Sequence, residues 1–523
     1  MSAHQKDAAA EIRRTIEPMD HTRSLRVAGL IGSIAALALL WVASSLTRLV
    51  PFPPTAVAAR VVRLTPGDLA TFFIDTLGHW ALRLLTLGAL MAALVIGAEA
   101  LVVTSSGSRP RPGIAAVMLG IVAAAAAFVD PTFQPDPLYV IAATVFAGAL
   151  YAGVAGRVHR RLAAEEQGAD EVRRQTIRLG LMGGLALAAF GGGAGWLVRR
   201  LAGPDTRVVL SAPVSPAASP SRGAFPEVAG ITPEVTSVAD HYEVDINLLP
   251  PSLEANSWTL SIAGRVSEPL ELSFVELQER FEIVEEYATL ACVSNEVGGD
   301  LVGHSRWGGV RLKEVLAAVR PKPGGEDVVL KAADGYSDSI PLEVATDPRV
   351  IIALSQNGRP LTREHGFPCR LRVPAIYGMK NVKWLQSIEV SGSDYSGYWQ
   401  ERGWSDDATV KTQSRIDVAG EDRAARIDEQ TWIAGVAWAG DRGIELVEVS
   451  LDAGTTWEAA QVREPLSSVS WVQWAFRWTP REARTVTVAC RATDGEGNVQ
   501  TARLAQPHPD GASGYHEVAV SVT

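Results

Sequence analysis

The chain has 523 residues, 47% of them hydrophobic, and a net charge of −10, a length that calls for about three or four folding units around separate cores. Residues 1–207 carry 20 Lys and Arg against 14 Asp and Glu, a balance of +6, and the remainder carries 28 against 44, a balance of −16. The acidic second half argues against nucleic acid as a partner, because phosphate binding relies on clustered cations that displace counterions.

After a tail at residues 1–24, apolar runs recur at residues 25–47, 80–104, 113–129, 137–156 and 179–198. A helix needs roughly 20 such residues to cross a bilayer, so the pattern predicts a five-helix transmembrane bundle over residues 25–200. Cations cluster ahead of the first run (Lys6, Arg13, Arg14, Arg23), between the second and third (Arg109, Arg111) and between the fourth and fifth (Arg157, Arg160, Arg161, Arg173, Arg174, Arg178). By the positive-inside rule these segments and the N-terminus are cytoplasmic, and an odd number of spans places everything after Val198 outside the plasma membrane. Arg48, Arg60 and Arg63 run against that trend. His79 and His159 do not supply paired axial ligands inside the spans, so no haem is expected there. Glu99, at the cytoplasmic end of the second run, reads either as a functional intramembrane acid or as an end-snorkelling one. The pair Arg173–Arg174 before the fifth run resembles a twin-arginine export signal set inside the chain; it also reads as an ordinary positive-inside cluster.

Residues 201–230, with "SAPVSPAASPSRG", are too poor in large apolar side chains to fold alone and predict an extended tether. Residues 231–407 mix strand-like alternation ("SWTLSIAG") with helical spacing ("SFVELQERF", Ser273 as N-cap), an α+β unit. Residues 408–523 hold short strand signals separated by turns, including "WIAGVAWAG" and "TVTVACRATDGEGN", and predict an immunoglobulin-like β-sandwich.

Cys292, Cys369 and Cys490 are the three cysteines, all in the second half. An odd number leaves at least one thiol outside any intrachain disulfide. Cys292 closes a strand-like run in "YATLACVSNEVGGDLVGHSRWGGVRL". Gly298 and Gly299 after it let backbone approach a bulky group, while Arg306 and Trp307 offer an anion contact and a flat apolar wall. One thiolate suits a redox metal but cannot hold zinc or an iron–sulfur cluster unaided, so a cofactor would bring the remaining ligands. Cys369 and Cys490 read as core packing.

The Cys292 segment resembles the molybdenum-ligating segment of the sulfite oxidase family, and "REHGFPCRLRVPAIYGMKNVKWLQSIEV" resembles that family's pterin-binding segment. The terminal portion is similar to the family's immunoglobulin-like dimerisation domain. The resemblance implies a membrane-anchored oxidoreductase with molybdopterin-bound molybdenum that transfers an oxygen atom and two electrons. It makes Cys292 the metal ligand; Arg306, as the anion contact read from its own neighbourhood, is the second catalytic candidate. His365 and Arg370 match the pterin-contacting pair, and Asn381, Val382 and Lys383 the turn that receives the pterin phosphate, where backbone N–H groups and a lysine suit an anion. Asp334, Tyr242 and Glu243 are implied as further cofactor contacts. Glu296 stands where the family places an arginine and Trp404 where it places the substrate tyrosine; these departures argue against sulfite and fit a small neutral sulfoxide or N-oxide, and they leave oxidation and reduction both open. A quinone or an exported electron carrier would serve as redox partner, and the terminal domain implies a homodimer. Two other classes remain on the residues alone: a metal-free surface binding protein, and a cysteine hydrolase using Cys292 with His304 or His365.

Overall fold

The computed structural model describes residues 21–46, 50–65, 80–106, 109–128, 136–164, 208–215, 223–247, 250–420 and 422–523, with a few isolated positions besides. The chain divides into two units, Met1–Pro204 and Asp205–Thr523.

In the first unit the described helices are α1 (His21–Leu46), α2 (Pro53–Leu64), α3 (Trp80–Thr104), α4 (Pro112–Phe128) and α5 (Pro137–Ala164). Helix α1 packs against α3 and α5, and α4 against α5. Small residues let the backbones approach: a methyl group on Gly29 would lie 2.9 Å from the carbonyl of Ala98, and one on Gly32 3.0 Å from Ala155, the packing favoured between helices in lipid. Tyr151 donates to the Gly97 carbonyl at 2.7 Å. Leu87, Met91, Val95, Val103, Ile121 and Phe146 point outward and are exposed, an apolar exterior compatible with lipid. Three of the helices are long and apolar enough to cross a membrane, and α4 is shorter. Four of the five expected spans thus coincide with helices. The fifth, with the Arg173–Arg174 pair, lies outside the described residues, so the count of five does not stand as a finding. Helix α2 was not expected, because Arg60 and Arg63 interrupt its apolar run, yet Pro at its first turn starts a helix readily.

In the second unit, strands β1 (Thr259–Gly264), β2 (Leu270–Ser273), β3 (Ile283–Ala291), β4 (Val302–Arg311), β5 (Asp327–Ala332), β6 (Ser337–Pro341), β7 (Ile351–Gln356), β8 (Arg359–Pro360), β9 (Arg370–Arg372) and β10 (Leu385–Ser391) form two sheets. One runs β2-β1-β10-β5-β6 and the other β3-β4-β7-β8, with β9 on β7. Short helices α6 (Phe274–Arg280), α7 (Leu312–Val319) and α8 (Leu342–Ala345) join them. Ser273 caps α6 as expected, its hydroxyl accepting from the Glu276 N–H while the Glu276 carboxylate accepts from Ser273. Leu260, Ile262, Trp307, Val310, Leu330 and Ile388 lie in the core shared by the two sheets.

Residues 413–522 form the sandwich. Its strands are β11 (Gln413–Ala419), β12 (Ala424–Ala425), β13 (Thr431–Trp438), β14 (Ile444–Ser450), β15 (Glu458–Ala459), β16 (Gln461–Val462), β17 (Val472–Trp478), β18 (Thr485–Asp494) and β19 (His516–Val522). They make one sheet in the order β11-β13-β17-β16 and a second in the order β12-β19-β18-β14-β15. The described parts of the Pro, Ala and Ser-rich stretch lie on this unit and do not hang free as a tether would. Val214 donates to the Ile283 carbonyl at 2.8 Å and Glu285 to the Ser215 carbonyl at 2.9 Å, extending the edge at β3, and Phe225 and Val228 pack on the sandwich. The free N–H and C=O groups of a strand edge supply what the stretch lacks in apolar surface.

Gly309 sits at a register shift between β4 and β7, where a methyl group would collide with the Ile352 carbonyl and stand 2.7 Å from the Ala353 Cα. Gly309→Ala should destabilise the second unit by about 2 kcal/mol or more, read as a lowered denaturation midpoint of the purified protein; an unchanged midpoint contradicts this packing.

Candidate active site

Strand β3 ends at Ala291, and Cys292 follows it directly, its N–H bonded to the Leu301 carbonyl at 2.9 Å. The thiol is buried, 3.0 Å from the Ser294 hydroxyl. Burial raises its pKa, opposed by the Ser294 contacts and by Lys383. A thiol held neutral in this way is a poor nucleophile, whereas metal coordination deprotonates it outright.

Around it stand groups drawn from distant parts of the chain. The Tyr242 pKa is pushed well up by burial and by the nearby Cys292, and a methyl group on Gly378 would meet both the Tyr242 hydroxyl and, at 3.3 Å, the Ala291 carbonyl. Only glycine lets that turn close over the end of β3. His241 stacks on Tyr242 and meets Trp307 and His365 edge-on, with centroids 5.3, 5.7 and 5.4 Å apart. The Arg370 guanidinium lies 5.2 Å from the Trp307 ring centroid.

Arg370 carries the strongest constraint. It is 5% exposed and donates only to the backbone carbonyls of His365 at 3.3 Å and Asn381 at 3.0 Å. Its Nε has no partner, and neither has the buried His241 Nε2. Among the described residues it forms no ion pair with a carboxylate. Burial lowers its pKa to about 10, with Tyr242 and Asp245 opposing. Lys383 donates to the Glu364 carbonyl at 2.9 Å and pairs with Asp245; burial lowers its pKa, opposed by Asp245. Enclosed cations need a counter-charge, so the pocket fits an anionic group. Among the described residues no three His, Cys, Asp or Glu side chains converge as a metal site. A metal at Cys292 would therefore draw further ligands from a cofactor, and a pterin with sulfur and phosphate groups fits both requirements.

The structure thus brings together Cys292, Tyr242, His365, Arg370 and Lys383. Glu243 stands at the rim, its pKa raised by burial and by Glu364 and opposed by Lys383. Asp334 is buried in the turn between β5 and β6, accepting from Asn247 at 3.1 Å and the Tyr336 N–H at 2.9 Å. Expectations for Arg306, Asn381, Val382 and His304 change. Arg306 does not join the site: it pairs across the sheet with Tyr287, four positions before Ala291, about 13 Å along the strand, and faces Glu285 at 3.6 Å. Strand alternation sends Trp307 inward and its neighbour Arg306 away. Asn381 offers no free N–H, since its own is bonded to Gly378 at 3.0 Å. Its amide oxygen accepts from Val373 at 2.7 Å and its amide nitrogen donates to Tyr377 at 3.2 Å, which fixes the turn. Val382 is core, its carbonyl accepting from Leu371. His304 is also remote from thiol chemistry, held between the Glu234 carbonyl at 2.6 Å and the Ser470 hydroxyl at 2.8 Å.

Sequence reasoning missed His241, Asp245 and Arg415. Arg415 reaches from β11 to the Gly299 carbonyl at 2.8 Å and so ties the sandwich to the loop after Cys292. Proximity to Tyr242 in "DHYEVD" signals the first two, but nothing in the sequence marks the third.

Two family models match this unit. Residues 247–399 match the model of the oxidoreductase molybdopterin binding domain, and residues 408–520 that of the Mo-co oxidoreductase dimerisation domain. The chain belongs to the sulfite oxidase family of molybdopterin oxidoreductases. It is 32% identical to a sulfite oxidase of Gallus gallus over 49% of this chain and 66% of that one. It is 28% identical to a sulfite oxidase of Arabidopsis thaliana over 53% and 84%, and 27% identical to an NAD(P)H nitrate reductase of Hordeum vulgare over 52% and 37%. The chain spans just under two thirds of the Gallus protein's length. The matches support a molybdenum cofactor in this domain, and Cys292, Arg370 and Lys383 are the residues whose chemistry suits it.

Burial holds three histidines of this domain below their ordinary range, His241 to about 3 and His304 and His365 to about 4. The unfolded chain takes up these protons near pH 6.5, so folding stability is full above that pH and falls as pH drops from about 6.5 toward 4. Denaturation midpoints across that window should fall steeply, and a flat profile contradicts neutral burial. Arg370→Gln should weaken cofactor retention about 10–100-fold, the worth of a charged hydrogen bond, read as molybdenum per chain after gel filtration.

Proposed function

We propose that this protein is a membrane-anchored, molybdopterin-dependent oxidoreductase that acts on a small substrate at the outer face of the plasma membrane. The observation that carries the reading is an enclosed Arg370 guanidinium that makes no ion pair with a carboxylate among the described residues, in a pocket where Tyr242 feels both it and the buried Cys292 thiol. When bound, the molybdenum cofactor supplies two-electron oxygen-atom transfer. The chain's own part is to hold and enclose it. Cys292 anchors the metal, Arg370 and Lys383 balance negative charge, His365 stays neutral and braces the pocket through its 2.9 Å contact with the Val238 carbonyl, and Trp307 walls off water. Tyr242, Glu243 and Asp334 complete the surround.

Glu296 is exposed in the loop after Cys292, and a carboxylate there repels an anion. Trp404, 6% exposed and clustered with Ala291, Val293, Tyr377 and Met379, puts an apolar wall near the ligand strand. Both favour a neutral sulfoxide or N-oxide over sulfite, although the relatives include sulfite oxidases and a nitrate reductase. Export with the cofactor already bound accounts for the arginine pair before the fifth apolar run. A quinone or an exported carrier exchanges the electrons, and the terminal domain, matched as a dimerisation domain, supports a homodimer.

Cys292→Ser is nearly isosteric. The variant should fold with unchanged stability and lose turnover with sulfite, sulfoxides, N-oxides and nitrate assayed with artificial electron carriers. Wild-type turnover of one of these with retained activity in the variant would contradict the reading.

A further inference from the structure

One of the two enclosed cations of the pocket already has an anion, and the chain itself supplies it. Asp245 lies in the stretch between His241 and Asn247, which belongs to neither sheet. Its carboxylate pairs with the Lys383 ammonium, and the two side chains are 16% and 12% exposed. Lys383 also donates to the Glu364 carbonyl at 2.9 Å and sits 4.6 Å from the Trp384 ring centroid. Arg370 feels the same carboxylate, which opposes the lowering of its pKa by burial. The other charged groups acting on this place are Glu243, exposed at the rim, and the half-buried Glu364.

Two features make Asp245 a replaceable anion. The first is its backbone. The stretch is pinned at one end by the His241 ring against Trp307 and His365, and at the other by Asn247, which donates to Asp334 at 3.1 Å. Between those pins Glu243 and Val244 are exposed, Val244 at 41%, so a local turn carries the carboxylate into water without breaking any strand pairing. The second feature is charge. Arg370 and Lys383 together carry +2, and a phosphate monoester carries about −1.5 to −2 near neutral pH, which balances both. With Asp245 still in place the same cations would face a surplus of negative charge, and carboxylate and phosphate would share one ammonium where little water screens their repulsion.

We propose that Asp245 is a stand-in counter-ion, neutralising Lys383 while the pocket is empty and yielding that cation to the phosphate of the pterin when the cofactor enters, as the exposed stretch around Val244 turns toward solvent. The inference rests on the cofactor assignment above and on Lys383 as its phosphate contact; it needs neither the substrate nor the direction of the reaction. Without the stand-in, an unloaded chain would fold around a largely buried ammonium with no acid beside it, at a cost that an enclosed charge carries until it is paired. With it, the domain folds first and exchanges one anion for another on loading.

The test is a zero-length carbodiimide cross-link, which joins a carboxylate and an amine in direct contact, read by peptide mass spectrometry of the full-length protein. Protein from cells unable to make the cofactor should give the Asp245–Lys383 amide, and loaded protein at least about tenfold less of it. No link in the empty protein, or an equal yield in the two forms, overturns the proposal. Asp245→Asn supplies an independent reading. The empty variant should melt below the empty wild type and bind inorganic phosphate about tenfold more tightly by calorimetry, while the loaded variant melts with the loaded wild type. Unchanged or weaker phosphate binding, or equal destabilisation of both forms, overturns it too. Molybdenum missing from protein matured in competent cells would instead refute the cofactor assignment, whereas the cross-link and the phosphate affinity of the empty protein are read without the cofactor.

Discussion

An enclosed positive charge without an acid to neutralise it is the constraint on which the catalytic domain depends. A guanidinium taken out of water is costly unless it is paired, and Arg370 has two backbone carbonyls and a tryptophan face in place of a carboxylate. Those contacts satisfy hydrogen bonds but do not cancel charge. The domain suits completion by an anion, and in the proposed reading the buried Cys292 thiol is the soft donor for a metal that arrives with it. Pre-organised cations and a dry wall are what a tightly held cofactor requires, since little has to move when it enters.

The geometry comes from three separate stretches of chain. Strand β3 delivers Cys292, the 363–384 segment delivers His365, Arg370 and Lys383, and the 241–245 stretch lays His241 and Tyr242 between them. Gly378 lets the 376–381 turn press against Tyr242 and Ala291, and Asn381 fixes that turn by bonding to Val373 and Tyr377. The sandwich takes part as well, since Arg415 holds the carbonyl of Gly299 in the loop beyond the ligand. A change in the terminal domain can therefore reach the loop after Cys292 without touching the pocket.

Much of this was legible in the residues. Long apolar runs, the strand-like run ending at Cys292 and the spacing of His365 and Arg370 are local patterns, and local patterns survive translation into structure. Arg306 was misjudged because adjacent residues of a strand face opposite ways, and only the register of β3 with β4 shows which of Arg306 and Trp307 turns inward. Asn381 is expected at an anion site from its place in the family's turn, and only the folded contacts show its amide bonded to that turn itself. The docking of residues 208–230 on a sheet edge and the reach of Arg415 are long-range contacts with no local signature. Helix α2 escaped notice because two arginines broke a run too short to span a bilayer.

The central claim is that Cys292 bonds a metal brought by the pterin. X-ray absorption at the molybdenum edge, on protein matured in cells able to make the cofactor, tests it most directly. Wild-type protein should show one more sulfur neighbour than Cys292→Ser with the cofactor retained in both. Identical sulfur shells in the two proteins would contradict the account.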